Sequence, residues 1–154
     1  MKIILSSIGV QSGTDLQLSL YYLKSFLLDH GRTTRRLPEV KIRVFHEEEN
    51  AADITRAILR SRPGLIGFSC YLWNIEKIIQ VCRKIKKSDP AIKLVLGGPE
   101  AAPRAEEILA REKAVDMVVR GEGEETFSEV ALRRETAARL YVRRDPESDL
   151  IVLP

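Results

Sequence analysis

The residues best suited to chemistry in this sequence are glycines and small polar side chains gathered in four loops. Gly97-Gly98-Pro99-Glu100 sets two glycines side by side, which removes side chains where a bulky group could lie flat. The same pair would serve a tight turn that needs positive φ at one glycine, and the residues leave both readings open. Ser69 could hydrogen-bond a ligand, or its own neighbouring backbone. Tyr71-Leu72-Trp73 follows and holds the single tryptophan of the chain. Such a cluster on a loop offers a platform for a flat ligand or a partner domain, or it caps the packing of the next helix. Gly121-Glu122-Gly123-Glu124-Glu125 has the glycine spacing of a phosphate loop, but three carboxylates would repel a phosphate. Glu124 and Glu125 suit a helix start, where acids favour the dipole. Glu122, between two glycines, is the one placed to contact a hydroxyl or an amide. The fourth loop is Gly9-Val10-Gln11-Ser12-Gly13-Thr14-Asp15, polar throughout, with Asp15 suited to cap a helix.

None of these sets makes a catalytic constellation. His30 falls at a helix end and His46 follows a strand, neither with a nucleophile in reach of its pattern. No nucleophile elbow or P-loop occurs. A phospho-acceptor site would need acids after the first and third strands, and Ser6-Ser7 and Ser69-Cys70 stand there instead. The two cysteines, Cys70 and Cys82, lie in apolar surroundings and cannot supply a disulfide framework, an iron–sulfur cluster or a four-cysteine zinc site. No residue of the chain is expected to ligate a metal, and the chain is not expected to be catalytic alone.

The elements that must position these loops alternate regularly. Ile3-Ile4-Leu5 opens as a buried strand. A helix follows from about Leu16 to His30, with Leu16, Leu20, Leu23 and Leu27 at helical spacing and Gly31 placed to end it. Val40 to Phe45 alternates apolar and charged residues, the pattern of an edge strand, with Val40, Ile42 and Val44 inward. A second helix spans Ala52 to Arg60. Leu65 to Cys70 is a central buried strand, and Asn74 is a good N-cap for a third helix whose apolar face is Ile75, Ile78, Ile79, Cys82 and Ile85. Strands over 92–96 and 115–119 flank a helix near 104–112, and a fifth helix begins near Thr126. Strand–helix alternation with β-branched runs means a parallel sheet covered on both faces. The expected class is α/β, a flavodoxin-like (Rossmann-like) three-layer fold with five parallel strands in the order 2-1-3-4-5. Its ligand crevice then opens at the carboxyl ends, between strands one and three. Tyr141 to Leu153 breaks the rhythm and reads as a C-terminal β-hairpin. Residues 1–135 form the expected α/β domain and 136–154 a hairpin and linker.

Composition bounds the remaining choices. The 154 residues carry 25 Lys plus Arg against 22 Asp plus Glu, a net charge of +3 without a basic tract, which argues against nucleic acid. Apolar residues are 44 % and charged residues 31 %, a globular mix. No apolar run approaches the roughly 18 residues of a membrane span, and the N-terminus lacks a signal peptide's apolar stretch. A cytoplasmic protein with no membrane partner is expected.

Three blocks then become informative together: Leu65-Ile66-Gly67-Phe68-Ser69-Cys70-Tyr71-Leu72-Trp73-Asn74-Ile75, Leu94-Val95-Leu96-Gly97-Gly98-Pro99-Glu100, and Val115-Asp116-Met117-Val118-Val119-Arg120-Gly121-Glu122-Gly123-Glu124. In this order and spacing they resemble the N-terminal cobalamin (vitamin B12)-binding domain of B12-dependent radical SAM proteins, over about residues 1 to 130. The resemblance implies cobalamin over the carboxyl ends of the strands, its nucleotide tail inserted beside the sheet. It implies Ser69, Gly97 and Gly98 as tail-pocket positions, so that a branched side chain at Gly98 would crowd the pocket. It implies cofactor contacts from Gly9, Gln11, Ser12 and Gly13, from Tyr71, Leu72 and Trp73, from Pro99 and Glu100, and from Gly121, Glu122 and Gly123. The family's Asp-x-His-x-x-Gly motif, whose His ligates cobalt, is replaced by the Gly9–Asp15 loop, so a base-off, His-off corrinoid is implied. The Cys-x-x-x-Cys-x-x-Cys motif is absent too, so S-adenosylmethionine and the iron–sulfur cluster would belong to a radical SAM barrel, in cis downstream or in trans. The implied function is a module presenting the corrinoid to that barrel for methyl transfer. The alternative is a cofactor-free interaction or regulatory domain that retains the fold.

Overall fold

A computed structural model describes residues 1–10, 17–33, 37–121, 123–132 and 150–151. Five parallel strands stand in the order expected: β2 (Glu39–His46), β1 (Lys2–Gly9), β3 (Leu65–Ser69), β4 (Lys93–Gly97) and β5 (Met117–Val119). A sixth, β6 (Leu150–Ile151), joins the edge of β5 antiparallel, with Val119 opposite Leu150. It corresponds to the second arm of the expected hairpin; the first arm lies outside the described residues. Helices α1 (Leu18–Thr33) and α5 (Gly123–Leu132) pack together on one face of the sheet. Helices α2 (Ala51–Leu59), α3 (Ile75–Ser88) and α4 (Ala105–Arg111) cover the other.

Strand alternation divides the core in two. On β3, Leu65 joins the α1/α5 core, whereas Ile66 and Phe68 join the α2–α4 core. On β4, Val95 faces α1 and α5, and Leu94 and Leu96 face away from them. The helix faces follow their sequence spacing: Ile75, Ile78, Ile79, Cys82 and Ile85 of α3 are all buried, joined by Val81. Asn50 caps α2, its side chain accepting the N–H groups of Ala52 and Asp53 at 3.0 Å each.

Three local expectations are corrected. Helix α1 runs through Gly31, which is buried inside it, and reaches Thr33. A glycine costs a helix only about 1 kcal/mol, less than the packing of Leu20 and Leu27 against the sheet supplies. On β2, Val44 is exposed, although Val40 on the same side is buried; the chain instead sends Phe45 into the opposite core. Helix α5 starts at Gly123 rather than near Thr126, so its first turn carries Glu124 and Glu125.

Candidate functional site

A cavity of about 470 Å³ opens between α1, α5 and the carboxyl ends of β3, β4 and β5. Its floor is the α1/α5 side of the sheet. There the strands present Gly67, Ser69, Val95, Gly97 and Val119. Its walls are Ser19, Leu20, Tyr22 and Leu23 from α1, and Gly123, Glu124 and Phe127 from α5. The volume lies within the range of about 300–1,000 Å³ typical of small-molecule pockets. The lining is mostly apolar, and Glu124 is its one charged member among the described residues.

The glycines divide by role. At Gly97 an added Cβ would find nothing closer than Val119 Cβ at 3.9 Å, so this position keeps the floor open. At Gly98 φ is +99°, and a Cβ would lie 2.7 Å from the Cys70 carbonyl oxygen. Gly98 is therefore the tight turn, and a side chain there would strike the Cys70 backbone before it crowded a ligand. At Gly67 a Cβ would approach Phe127 Cε2 to 2.8 Å, so that glycine lets the Phe127 ring close over the floor.

The crevice is not where strand order alone puts it. The gap between the ends of β1 and β3 is filled by Asn74, which is 1 % exposed. Its Nδ2 donates to the Ile8 carbonyl at 3.0 Å, to Ser7 Oγ at 3.3 Å and to the Ser69 carbonyl at 3.4 Å. Its Oδ1 accepts the Tyr71 N–H at 2.8 Å. Ser7 Oγ also donates to the Ser69 carbonyl at 3.0 Å. Asn74 occupies the cap position of α3 but makes no capping bond from its side chain, which corrects the expected N-cap. The open space is displaced toward β3–β5.

Ser69, Gly97, Gly98, Gly121 and Gly123 thus come together at the cavity. Tyr71, Leu72 and Trp73 do not line it. They form an exposed loop above β3, Leu72 at 78 % and Trp73 at 54 % exposure, with the Tyr71 and Trp73 rings stacked 4.8 Å apart and 6° from parallel. They do not cap α3 by burial. Pro99 is exposed outside the lining, and Glu100 is committed to Arg104 at 3.0 Å. Gly9 ends β1 and its carbonyl accepts the Glu47 N–H at 3.0 Å, away from the cavity. Gln11, Ser12, Gly13 and Glu122 lie outside the described residues. Cys70 is fully buried beneath the loop, and burial pushes its thiol well above the usual range, so it stays neutral. His30 stacks on Phe26 in α1, and the Nδ1 of His46 accepts the Glu48 N–H at 3.3 Å; neither lines the cavity. Among the described residues no group of three or more His, Cys, Asp or Glu could hold a metal ion.

Sequence reading missed the helix walls and Gly67. The signal for Gly67 was available: strand alternation places Gly67 and Ser69 on one side and Ile66 and Phe68 on the other. The Oγ of Ser19, on the α1 wall, is buried without a hydrogen-bond partner among the described residues. A buried hydroxyl with no partner beside an open, glycine-floored space is what a polar ligand group would satisfy. Together with the opening at Gly97, it makes the residues present a fit for a flat, largely apolar group bearing a few polar atoms.

Comparison with known proteins agrees with this geometry. A family model described as a B12 binding domain matches residues 9–131. The chain is 37 % identical over 87 residues to 2-(S-pantetheinyl)-carbapenam-3-carboxylate methyltransferase of Streptantibioticus cattleyicolor, covering 56 % of this chain and 12 % of that protein. It is 32 % identical over 72 residues to the cobalamin-dependent radical SAM methyltransferase TokK of Streptomyces tokunonensis, covering 47 % of this chain and 11 % of that protein. The fold superposes on the cobalamin-dependent S-adenosylmethionine radical enzyme OxsB with a TM-score of 0.66 at 18 % identity, over 98 % of this chain and 22 % of that one. The matches thus take in only about an eighth of the curated relatives' length. The three sequence blocks, the sheet order and the matched model converge: this chain belongs to the B12-binding domain family.

Proposed function

We propose that the chain binds a cobalamin-type corrinoid and presents it to a radical SAM domain. The observation that carries this reading is the α1/α5 cavity, with its open floor at Gly97 and its Ser19 hydroxyl, buried with no partner among the described residues. Ser69, Gly97 and the walls of α1 and α5 would hold the nucleotide tail. Glu124 is the carboxylate placed to accept a hydrogen bond from a sugar hydroxyl at the cavity wall. The stacked Tyr71–Trp73 pair would face the corrin at the carboxyl end of the sheet, a use of aromatic surface that needs no polar partner. The Gly9–Asp15 loop, which stands where the family's cobalt-ligating motif would be, carries no histidine, which favours a base-off, His-off mode. When bound, the corrinoid supplies methyl-group carriage through its cobalt; this chain orients it and shields one face. S-adenosylmethionine and an iron–sulfur cluster would be held by the radical SAM domain, in cis or in trans, in a cytoplasmic system. Residues 1–135 would make up the cofactor domain and 136–154 its connection.

Titration with hydroxocobalamin, followed in the visible spectrum, tests this. A saturable change at near-stoichiometric cofactor is expected, and a flat spectrum overturns it in favour of a cofactor-free interaction domain. Cobinamide, which lacks the nucleotide tail, is expected to bind about tenfold or more weakly, equivalent to about 1.4 kcal/mol. Equal affinity for the two would remove the tail from the cavity.

A further inference from the structure

We propose that Asn74 is the positioning residue of the aromatic loop: its buried amide fixes where the Tyr71–Trp73 pair stands above the sheet. The role of that pair toward a ligand rests on the corrinoid reading; the positioning itself does not.

The loop between β3 and α3 is tied on both sides. On the β4 side, the Cys70 N–H donates to the Gly97 carbonyl at 2.7 Å, and the Cys70 carbonyl accepts the Glu100 N–H at 3.2 Å. On the β1 side, Ser7 Oγ donates to the Ser69 carbonyl at 3.0 Å, and the remaining side-chain bonds come from Asn74. The Asn74 amide reaches Ile8, Ser7 and Ser69 through its Nδ2 and takes the Tyr71 N–H on its Oδ1. The Tyr71 carbonyl in turn accepts the N–H groups of Asn74 and Ile75 at 3.1 Å each. Tyr71 and Asn74 therefore close a tight turn. Leu72 and Trp73 stand exposed at the tip of this turn.

A plain helix cap would use the Asn74 side chain differently. Capping needs its oxygen on the N–H groups of the first turn of α3, and no such bond is made. The amide is instead spent across the end of the sheet, between residues 66 and 67 positions apart in sequence. Serine caps a helix as well as asparagine does but cannot span that gap, so the two roles separate by substitution.

Trp73 is the only tryptophan, so its fluorescence reads the loop in the ligand-free protein. In Asn74→Ala and in Asn74→Ser alike, acrylamide quenching should rise about twofold with a red-shifted emission, because roughly half the ring is shielded at present. Ile108→Val, a mild truncation in the core under α4, should leave both unchanged and controls for general destabilisation. Wild-type-like quenching in Asn74→Ser would reduce the residue to a cap, and wild-type-like quenching in both variants would overturn the proposal outright. With hydroxocobalamin, Asn74→Ala should bind about tenfold more weakly through lost preorganisation while Ile108→Val binds as the wild type does. Equal affinities would show that the pair's position does not matter to the ligand and would overturn that part of the proposal. If the unsubstituted protein takes up no hydroxocobalamin, the corrinoid reading fails, and the ligand-free fluorescence still decides the role of Asn74.

Discussion

Ile66 and Phe68 of β3, with Leu94 and Leu96 of β4, are buried in one continuous cluster on the α2–α4 side of the sheet. The same two strands show Gly67, Ser69 and Gly97 to the α1/α5 side, where the cavity lies. One pair of strands thus builds a close-packed face and a hollow one, by the choice of residue at alternate positions. The hollow lies toward the carboxyl ends: nearer the amino ends, Ile3 of β1 and Leu65 of β3 fill the α1/α5 side as well. A binding space of this kind leaves the fold standing because the opposite core is continuous from α2 to α4. The difference between the faces can be broken or sharpened by substitution, since large changes in stability belong to one face and large changes in ligand uptake to the other.

The largest stability effect is expected at Leu94, fully buried on the packed face and absent from the cavity lining. Leu94→Ala should cost about 3 kcal/mol and lower Tm by about 6–12 °C. A loss under about 1 kcal/mol by urea unfolding would mean that this face is looser than its burial indicates. Next comes Gly98→Ala, which combines a φ of +99° with a Cβ 2.7 Å from the Cys70 carbonyl oxygen. About 2 kcal/mol should be lost, because the obstacle is backbone and cannot swing aside. If instead Gly98→Ala unfolds like the wild type while binding weakens, Gly98 belongs to the ligand pocket and not to the turn.

Gly67→Ala is expected to be milder, about 1–2 kcal/mol, because its Cβ meets a side chain, the Phe127 ring, which can move. Phe127→Leu on the same chain should return part of that loss, and a double-mutant cycle measures the coupling. Additive effects would separate Gly67 from Phe127 and leave the close approach of strand and helix without energetic weight.

Much of this was legible in the sequence, and the lapses have physical causes. Sheet order followed from strand–helix alternation and from the charged residues of β2, because parallel sheets are covered on both faces and edges are marked by charge. The glycine loops after β4 and β5, conspicuous by their spacing, border the cavity at Gly97, Gly98, Gly121 and Gly123. What a single strand could not reveal was how α1 and α5 lie across it, so Ser19, Leu23 and Phe127 were missed as walls. Asn74 was read as a cap because capping is a local rule, whereas its bonds run to Ser7 and Ile8, far away in sequence. The same locality misled at Gly31, where tertiary packing carries the helix past a residue that could have ended it.

Gly97 gives the smallest expected change in stability and the sharpest division between the faces. Its Cβ direction is open, with Val119 Cβ the nearest atom at 3.9 Å, and it lies one residue before the turn that needs Gly98. Gly97→Val therefore adds its methyl groups to empty space on the cavity floor. Folding stability should shift by no more than about 0.5 kcal/mol, the gain from a stiffer unfolded chain offsetting a little crowding. Ligand uptake should fall about tenfold or more, since the added volume sits where a flat group would rest. Isothermal denaturation and the hydroxocobalamin titration, run on the same preparation, check both halves. A stable variant that binds normally would place the ligand away from this floor. A variant that loses stability as Leu94→Ala does would show the hollow face to be part of the structural core, and the contrast drawn from alternate residues of β3 and β4 would not hold.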